Sequence, residues 1–151
     1  MEYMPADLAK TLSAMARGTH NEICGFILDD WTLISVRNVA QLPTISFEMS
    51  MNAILGAVEM AAASDRKILG TYHSHPGGST EPSETDLHGW PRFIDGSYAR
   101  YWVVTGDTVR EFERTGEGSE IGFQLIHSIG IGVVVKRPEE GMDQSVPEDR
   151  P

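Results

Sequence analysis

The stretch from His73 to Asp86, His-Ser-His-Pro-Gly-Gly-Ser-Thr-Glu-Pro-Ser-Glu-Thr-Asp, constrains this chain more than any other part of it. Upstream, Ile68, Leu69 and Tyr72 mark Lys67 to Tyr72 as a short buried strand. His73 and His75 then emerge from its end on one face, because side chains two apart in an extended chain share a side. Gly77 and Gly78, bracketed by Pro76 and Pro82, make a tight loop, and Ser83-Glu84-Thr85-Asp86 reads as a helix start with Ser83 as N-cap. A catalytic zinc takes three protein ligands, accepts nitrogen and carboxylate oxygen, and keeps one position for water. His73, His75 and Asp86 fill that requirement and point to a zinc hydrolase.

Each residue also has a plainer role. A histidine at a strand end is commonly a hydrogen-bonded surface residue, although a pair followed by a Gly/Pro loop is harder to explain that way. Ser83 and Asp86 match the S-x-x-D pattern of a capping box, which requires no catalysis, and capping is compatible with metal binding.

The segment resembles the JAMM (MPN+/JAB) metalloprotease signature, in which H-x-H-P leads through a loop into S-x-x-D and a glutamate lies upstream on another strand. His73-Ser74-His75-Pro76 and Ser83-Glu84-Thr85-Asp86 agree with it at every position. Glu22, in Asn21-Glu22-Ile23-Cys24-Gly25-Phe26-Ile27-Leu28, is similar to the family's E-x-C-G-hydrophobic strand. On its residues alone, Glu22 reads as a solvated strand-edge charge. The resemblance runs from about Leu8 to Arg114, and it implies an α/β fold: a single domain with a curved mixed β-sheet flanked by helices, of cytidine-deaminase-like architecture. It also implies His73, His75 and Asp86 as Zn2+ ligands, Glu22 as the general base and acid, and Ser83 as a hydrogen-bond donor to the oxyanion. No covalent acyl-enzyme is then needed, so Cys24 need not act as a nucleophile.

Charge narrows the partners. Lys and Arg number 12 against 22 for Asp and Glu, a net charge of −10, which disfavours nucleic acid because phosphate backbones need a basic surface. A ubiquitin-like partner with a basic face fits better. Cys24 is the only cysteine, so no intrachain disulfide forms, and its apolar surroundings suggest a buried thiol in a reducing compartment. With no basic leader region and no apolar run of membrane-spanning length, the expectation is a cytoplasmic protein without membrane contact. The sequence assigns no oligomeric state.

The remaining pattern orders the elements. A helix is expected from Pro5 to Arg17, stopped by Gly18; strands Ile23 to Leu28 and Leu33 to Val39 form a hairpin through Asp29-Asp30-Trp31; and Met49 to Ser64 is helical. A helix from about Ser83 to Phe93 precedes strands Arg100 to Thr105 and Val109 to Arg114. Ile121 to Ile126 and Ile129 to Val135 are apolar enough for two more strands. Residues 1–136 are read as the JAMM-like domain and 137–151, with three prolines and five acidic residues, as a mobile acidic tail. Trp102 is assigned to the core, and Trp31 and Trp90 to packing ahead of substrate contact. His20, His88 and His127 are not assigned to zinc. Gln41 to Phe47 is either a groove-lining insertion or a plain surface loop.

Three functions are compatible with this reading. The first, implied by the resemblance, is a zinc isopeptidase that hydrolyses the bond after the C-terminal glycine of a ubiquitin-like or sulfur-carrier protein. The second is a phage tail assembly peptidase, which the His73 to Gly78 run, Pro82 to Asp86, Arg37-Asn38 and Phe47-Glu48 also resemble. The third is a non-catalytic interaction module.

Overall fold

A computed structural model of the chain describes residues 2–89, 100–116 and 118–132. The expected tail, Trp90, and the helix beyond Gly89 lie outside the described residues. Helix α1 (Ala6–Arg17) is followed by strands β1 (Cys24–Leu28) and β2 (Leu33–Val36), helix α2 (Met51–Ala63) and strand β3 (Ile68–Ser74). Helix α3 (Glu84–Gly89), β4 (Arg100–Val104), β5 (Thr108–Thr115), a single 3-10 turn (Gly118–Glu120) and β6 (Gly122–Gly130) complete the order. The strands form one mixed sheet, β2-β1-β3-β4-β5-β6, parallel only between β3 and β4. This is the α/β fold with a mixed sheet that the sequence implied.

Local chemistry accounts for the element ends. Gly18 donates its N–H to the Met15 carbonyl at 3.1 Å and closes α1, while the Ser50 hydroxyl accepts from Ala53 N–H and opens α2. The β1–β2 turn brings Trp31 to φ 68°, a left-handed conformation unusual for a bulky residue. Packing accounts for it, because the Trp31 ring meets Trp102 edge-on at 6.4 Å. At Gly70 a side chain would run into the Arg100 carbonyl of β4, so the parallel pair closes only over a glycine.

Alternation along the strands divides the core between the two faces. On one face α1 buries Ala9, Leu12 and Ala16 against Ile27, Tyr72, Trp102, Val104 and Val109. On the other, Cys24 and Phe26 pack with Met49 and Ala57 beneath α2, next to a cluster of Tyr101, Val103 and Phe112. Arg100 and Glu111, both buried, form a two-pronged ion pair with distances of 2.6 and 2.9 Å. The Arg100 guanidinium also lies 5.3 Å from the Trp31 and Trp102 rings.

Two expectations need correction. Strand β2 ends at Val36, not Val39, because Val39 turns away and donates its N–H to the Glu48 carbonyl at 2.9 Å. Strand β6 runs through His127 and Ser128, where a break was expected between Ile121 to Ile126 and Ile129 to Val135, and ends at Gly130; residues 133–135 lie outside the described residues. A register shift at Glu111/Phe112 lets pairing run unbroken from Thr108↔Gly130 to Thr115↔Gly122. His127, for which the sequence offers no partner, stacks on Tyr3 with ring centroids 3.9 Å apart.

Candidate metal centre

Strand β3 delivers the first histidine directly and the second one residue past Ser74. His73 is fully buried at its last turn of pleat, and His75 is anchored by its N–H to the Val104 carbonyl at 2.9 Å. The glycine loop then returns the chain so that α3 begins over the same point. Ser83 N–H donates to Asp86 Oδ2 at 2.8 Å and Asp86 N–H to Ser83 Oγ at 3.1 Å, the reciprocal bonds of a capping box.

The oxygen that caps the helix also faces both imidazoles. His73 Nε2 is 3.0 Å and His75 Nε2 3.1 Å from Asp86 Oδ2, and the two nitrogens are 3.0 Å apart. Ligand atoms around a tetrahedral zinc at 2.0–2.1 Å stand roughly 3.3 Å from one another, so this triangle fits a single ion after shifts of a few tenths of an ångström. His75 Nδ1 lies 3.0 Å from the Ser79 carbonyl. A carbonyl only accepts, so Nδ1 carries the proton and Nε2 presents its lone pair to the centre.

Electrostatics agree with the donor set. Burial pushes the Asp86 carboxyl up, but the hydrogen bonds with His73 and His75 outweigh it and hold the group well below the usual carboxylate range. Burial lowers the His73 pKa and favours neutral imidazole. At His75 burial acts in the same direction, yet the Asp86 carboxylate prevails and raises the pKa. An ionised carboxylate and neutral imidazoles are the forms that ligate a metal, so a cation binding here would compete with protons for these groups.

Glu22 stands two residues before β1, where its N–H donates to the Pro43 carbonyl at 2.7 Å. One ligand atom each of Glu22, His73 and His75 lies within 4.8 Å of the others. Asp86 Oδ2 is closer to the two histidine nitrogens, at 3.0 and 3.1 Å. The sequence alone suggested a solvated charge at Glu22; the residue is 6% exposed, and its Oε1 has no hydrogen-bond partner among the described residues. Burial is the main reason its pKa rises from 4.5 to about 7, with His75 opposing and Asp86 assisting. A carboxylate so tuned exchanges protons near neutral pH.

Sequence reasoning missed the supports. Ser74 Oγ accepts the Ile23 N–H at 2.8 Å while Ser74 N–H donates to the Ile23 carbonyl at 2.9 Å, tying the chain beside Glu22 to the histidine strand. Phe47 stacks on His73, with centroids 4.3 Å apart and an interplanar angle of 21°. The Gln41 to Phe47 segment therefore reaches the site, and Gln41 and Pro43 line a groove of about 620 Å³ with Glu22, Ser35, Arg37 and Asn38. His20 is exposed and outside the cluster.

The family model described as prokaryotic homologs of the JAB domain matches residues 5–115. The desampylase of Haloferax volcanii is 30% identical over 105 residues, spanning 60% of this chain and 74% of that protein. A solution structure from Desulfitobacterium hafniense aligns with a TM-score of 0.59 at 20% identity, covering 80% of this chain and 87% of that one. A second, from Salinibacter ruber, gives 0.52 at 23% identity over 82% and 88%. At these identities the two structures speak to the fold alone.

Proposed function

We propose a function from one premise: the chain belongs to the prokaryotic homologs of the JAB domain. It is a zinc-dependent isopeptidase that hydrolyses the bond after the C-terminal glycine of a ubiquitin-like or sulfur-carrier protein. The observation that carries this reading is the convergence of His73 Nε2, His75 Nε2 and Asp86 Oδ2 within 3.1 Å, beside the buried Glu22, whose Oε1 has no hydrogen-bond partner among the described residues. Similarity to a desampylase supports the substrate class.

His73, His75 and Asp86 would hold the ion, which supplies Lewis acidity that makes water a nucleophile near pH 7. Glu22 takes the proton of the attacking water and later gives it to the leaving amine, as a carboxyl with a pKa near the working pH does best. The Ser83 hydroxyl accepts from Asp86 N–H, so its own proton remains free to donate to the oxyanion on the scissile carbonyl. Strand β2 forms an edge of the sheet beside the groove, and its outer backbone can pair with an extended substrate tail. The reading also takes the protein to be cytoplasmic; no helix among the described residues is long and apolar enough to cross a membrane.

The test is a fusion of a ubiquitin-like protein ending in Gly-Gly to a second polypeptide, incubated with the protein and analysed by product mass. Cleavage after the terminal glycine, abolished by a chelator and by Glu22→Ala, is expected. Chelator-insensitive turnover or cleavage at another bond would overturn the reading.

A further inference from the structure

Asn38 occupies an unusual position among the side chains around the centre. Its Nδ2 donates to the Glu22 carbonyl at 3.0 Å and to the Ser46 carbonyl at 2.9 Å, with the Pro43 carbonyl further out at 3.5 Å. Its Oδ1 accepts from the Ala40 N–H at 3.0 Å and the Glu48 N–H at 3.1 Å. An amide has two N–H donors and two acceptor lone pairs, so all four are committed. One bond holds the backbone of Glu22, and two hold the residues on either side of Phe47.

The same loop is also tied by the Glu22 N–H to the Pro43 carbonyl at 2.7 Å and by the Val39 N–H to the Glu48 carbonyl at 2.9 Å. Leu42 and Ile45 are 62% and 69% exposed, so its middle gains nothing from apolar burial. At its end, however, Phe47 lies flat against His73. We infer that Asn38 is a positioning residue of the metal centre: a single amide couples the backbone that carries Glu22 to the residues flanking the ring that stacks on His73. This rests on the metal site proposed above, and it adds a residue that touches neither ion nor substrate.

The test compares Asn38→Asp with the parent protein. The new side chain has the same shape and still accepts from Ala40 and Glu48, but it turns an oxygen towards the Glu22 and Ser46 carbonyls, where two donors stood. Outer supports of metal ligands are typically worth 10–100-fold in affinity, and a loss of zinc affinity of at least tenfold, measured by chelator competition, is expected. The His73 ring resonances, displaced by the current of the stacked Phe47 ring, should move towards their free positions in the metal-free variant. Leu12→Ala, a core truncation on the opposite face of the sheet, controls for stability alone and should leave zinc affinity within twofold. Phe47→Leu keeps an apolar side chain under the loop, removes the stack, and should reproduce the weakened binding even if Asn38→Asp fails to fold. Zinc affinity within twofold of the parent in Phe47→Leu, or unmoved His73 resonances in a folded Asn38→Asp, would overturn the inference. A parent protein that binds no zinc would overturn the proposed function, while the resonances would still decide the role of Asn38.

Discussion

Replacing Glu22 by Gln should make the metal-free protein more stable at pH 8 while sharply slowing catalysis. Burial raises the Glu22 pKa from 4.5 to about 7, which means the fold prefers the protonated acid. The stability this contributes is fully present below pH 4.5 and is lost as pH rises through about 7. At 1.36 kcal/mol per pH unit the interval amounts to about 3 kcal/mol, and water reaching the carboxylate from the groove reduces it to about 2 kcal/mol. Glutamine cannot ionise, so it escapes the penalty. For a chain of this length, roughly 3 °C per kcal/mol puts the gain in Tm at about 6 °C at pH 8. At pH 4 the two proteins should melt together. Scanning calorimetry of chelated parent and variant at both pH values is the assay. A difference that does not change with pH, or a less stable variant at pH 8, would refute the argument that burial tunes this carboxyl. The variant should retain zinc yet lose at least about a hundredfold in turnover, the lower range for general acid–base catalysis.

His73→Ala, His75→Ala and Asp86→Ala should each remove most of the zinc from the purified protein, as elemental analysis would register; full occupancy in all three rejects the ligand assignment. Ser83→Ala should keep zinc but slow turnover and lose about 1 kcal/mol with the helix cap, whereas a loss of stability alone would make Ser83 only a cap. Breaking the Arg100–Glu111 pair with Glu111→Ala should lower stability by about 3–5 kcal/mol in denaturant unfolding, because it strands a buried guanidinium. The double change Arg100→Met, Glu111→Leu should be milder, and equal losses in the two proteins would contradict that account.

The parts of the centre that were legible in the sequence are those written locally. His73 and His75 share a face by strand geometry, and Ser83 and Asp86 are joined by a capping pattern, so spacing alone anticipates their meeting. Glu22 lies far upstream and was identified only through its resemblance to a known motif. Its burial arises from the loop around Pro43, which no local pattern encodes. Asn38 and Ser74 act by side-chain bonds to distant backbone, an interaction that leaves no periodicity to read. The same limit explains β6: apolar content leaves His127 and Ser128 as a break after Ile126, but pairing with β5 carries the strand through them to Gly130.

The lone parallel pairing in the sheet also bears on the order in which the molecule assembles. β1–β2 and β4–β5 are joined by tight turns, so each pair can form from neighbours in the chain. β3 and β4 meet only after the crossover between them, and that crossover carries His75, Ser83 and Asp86. Loop-closure entropy must be overcome before this seam closes across 30 residues, Gly70 to Arg100, as it must for the β1–β3 seam across 49, Cys24 to His73. The centre draws residues from both sides of these seams, so a metal that binds only the assembled site would stabilise the folded state over the unfolded one.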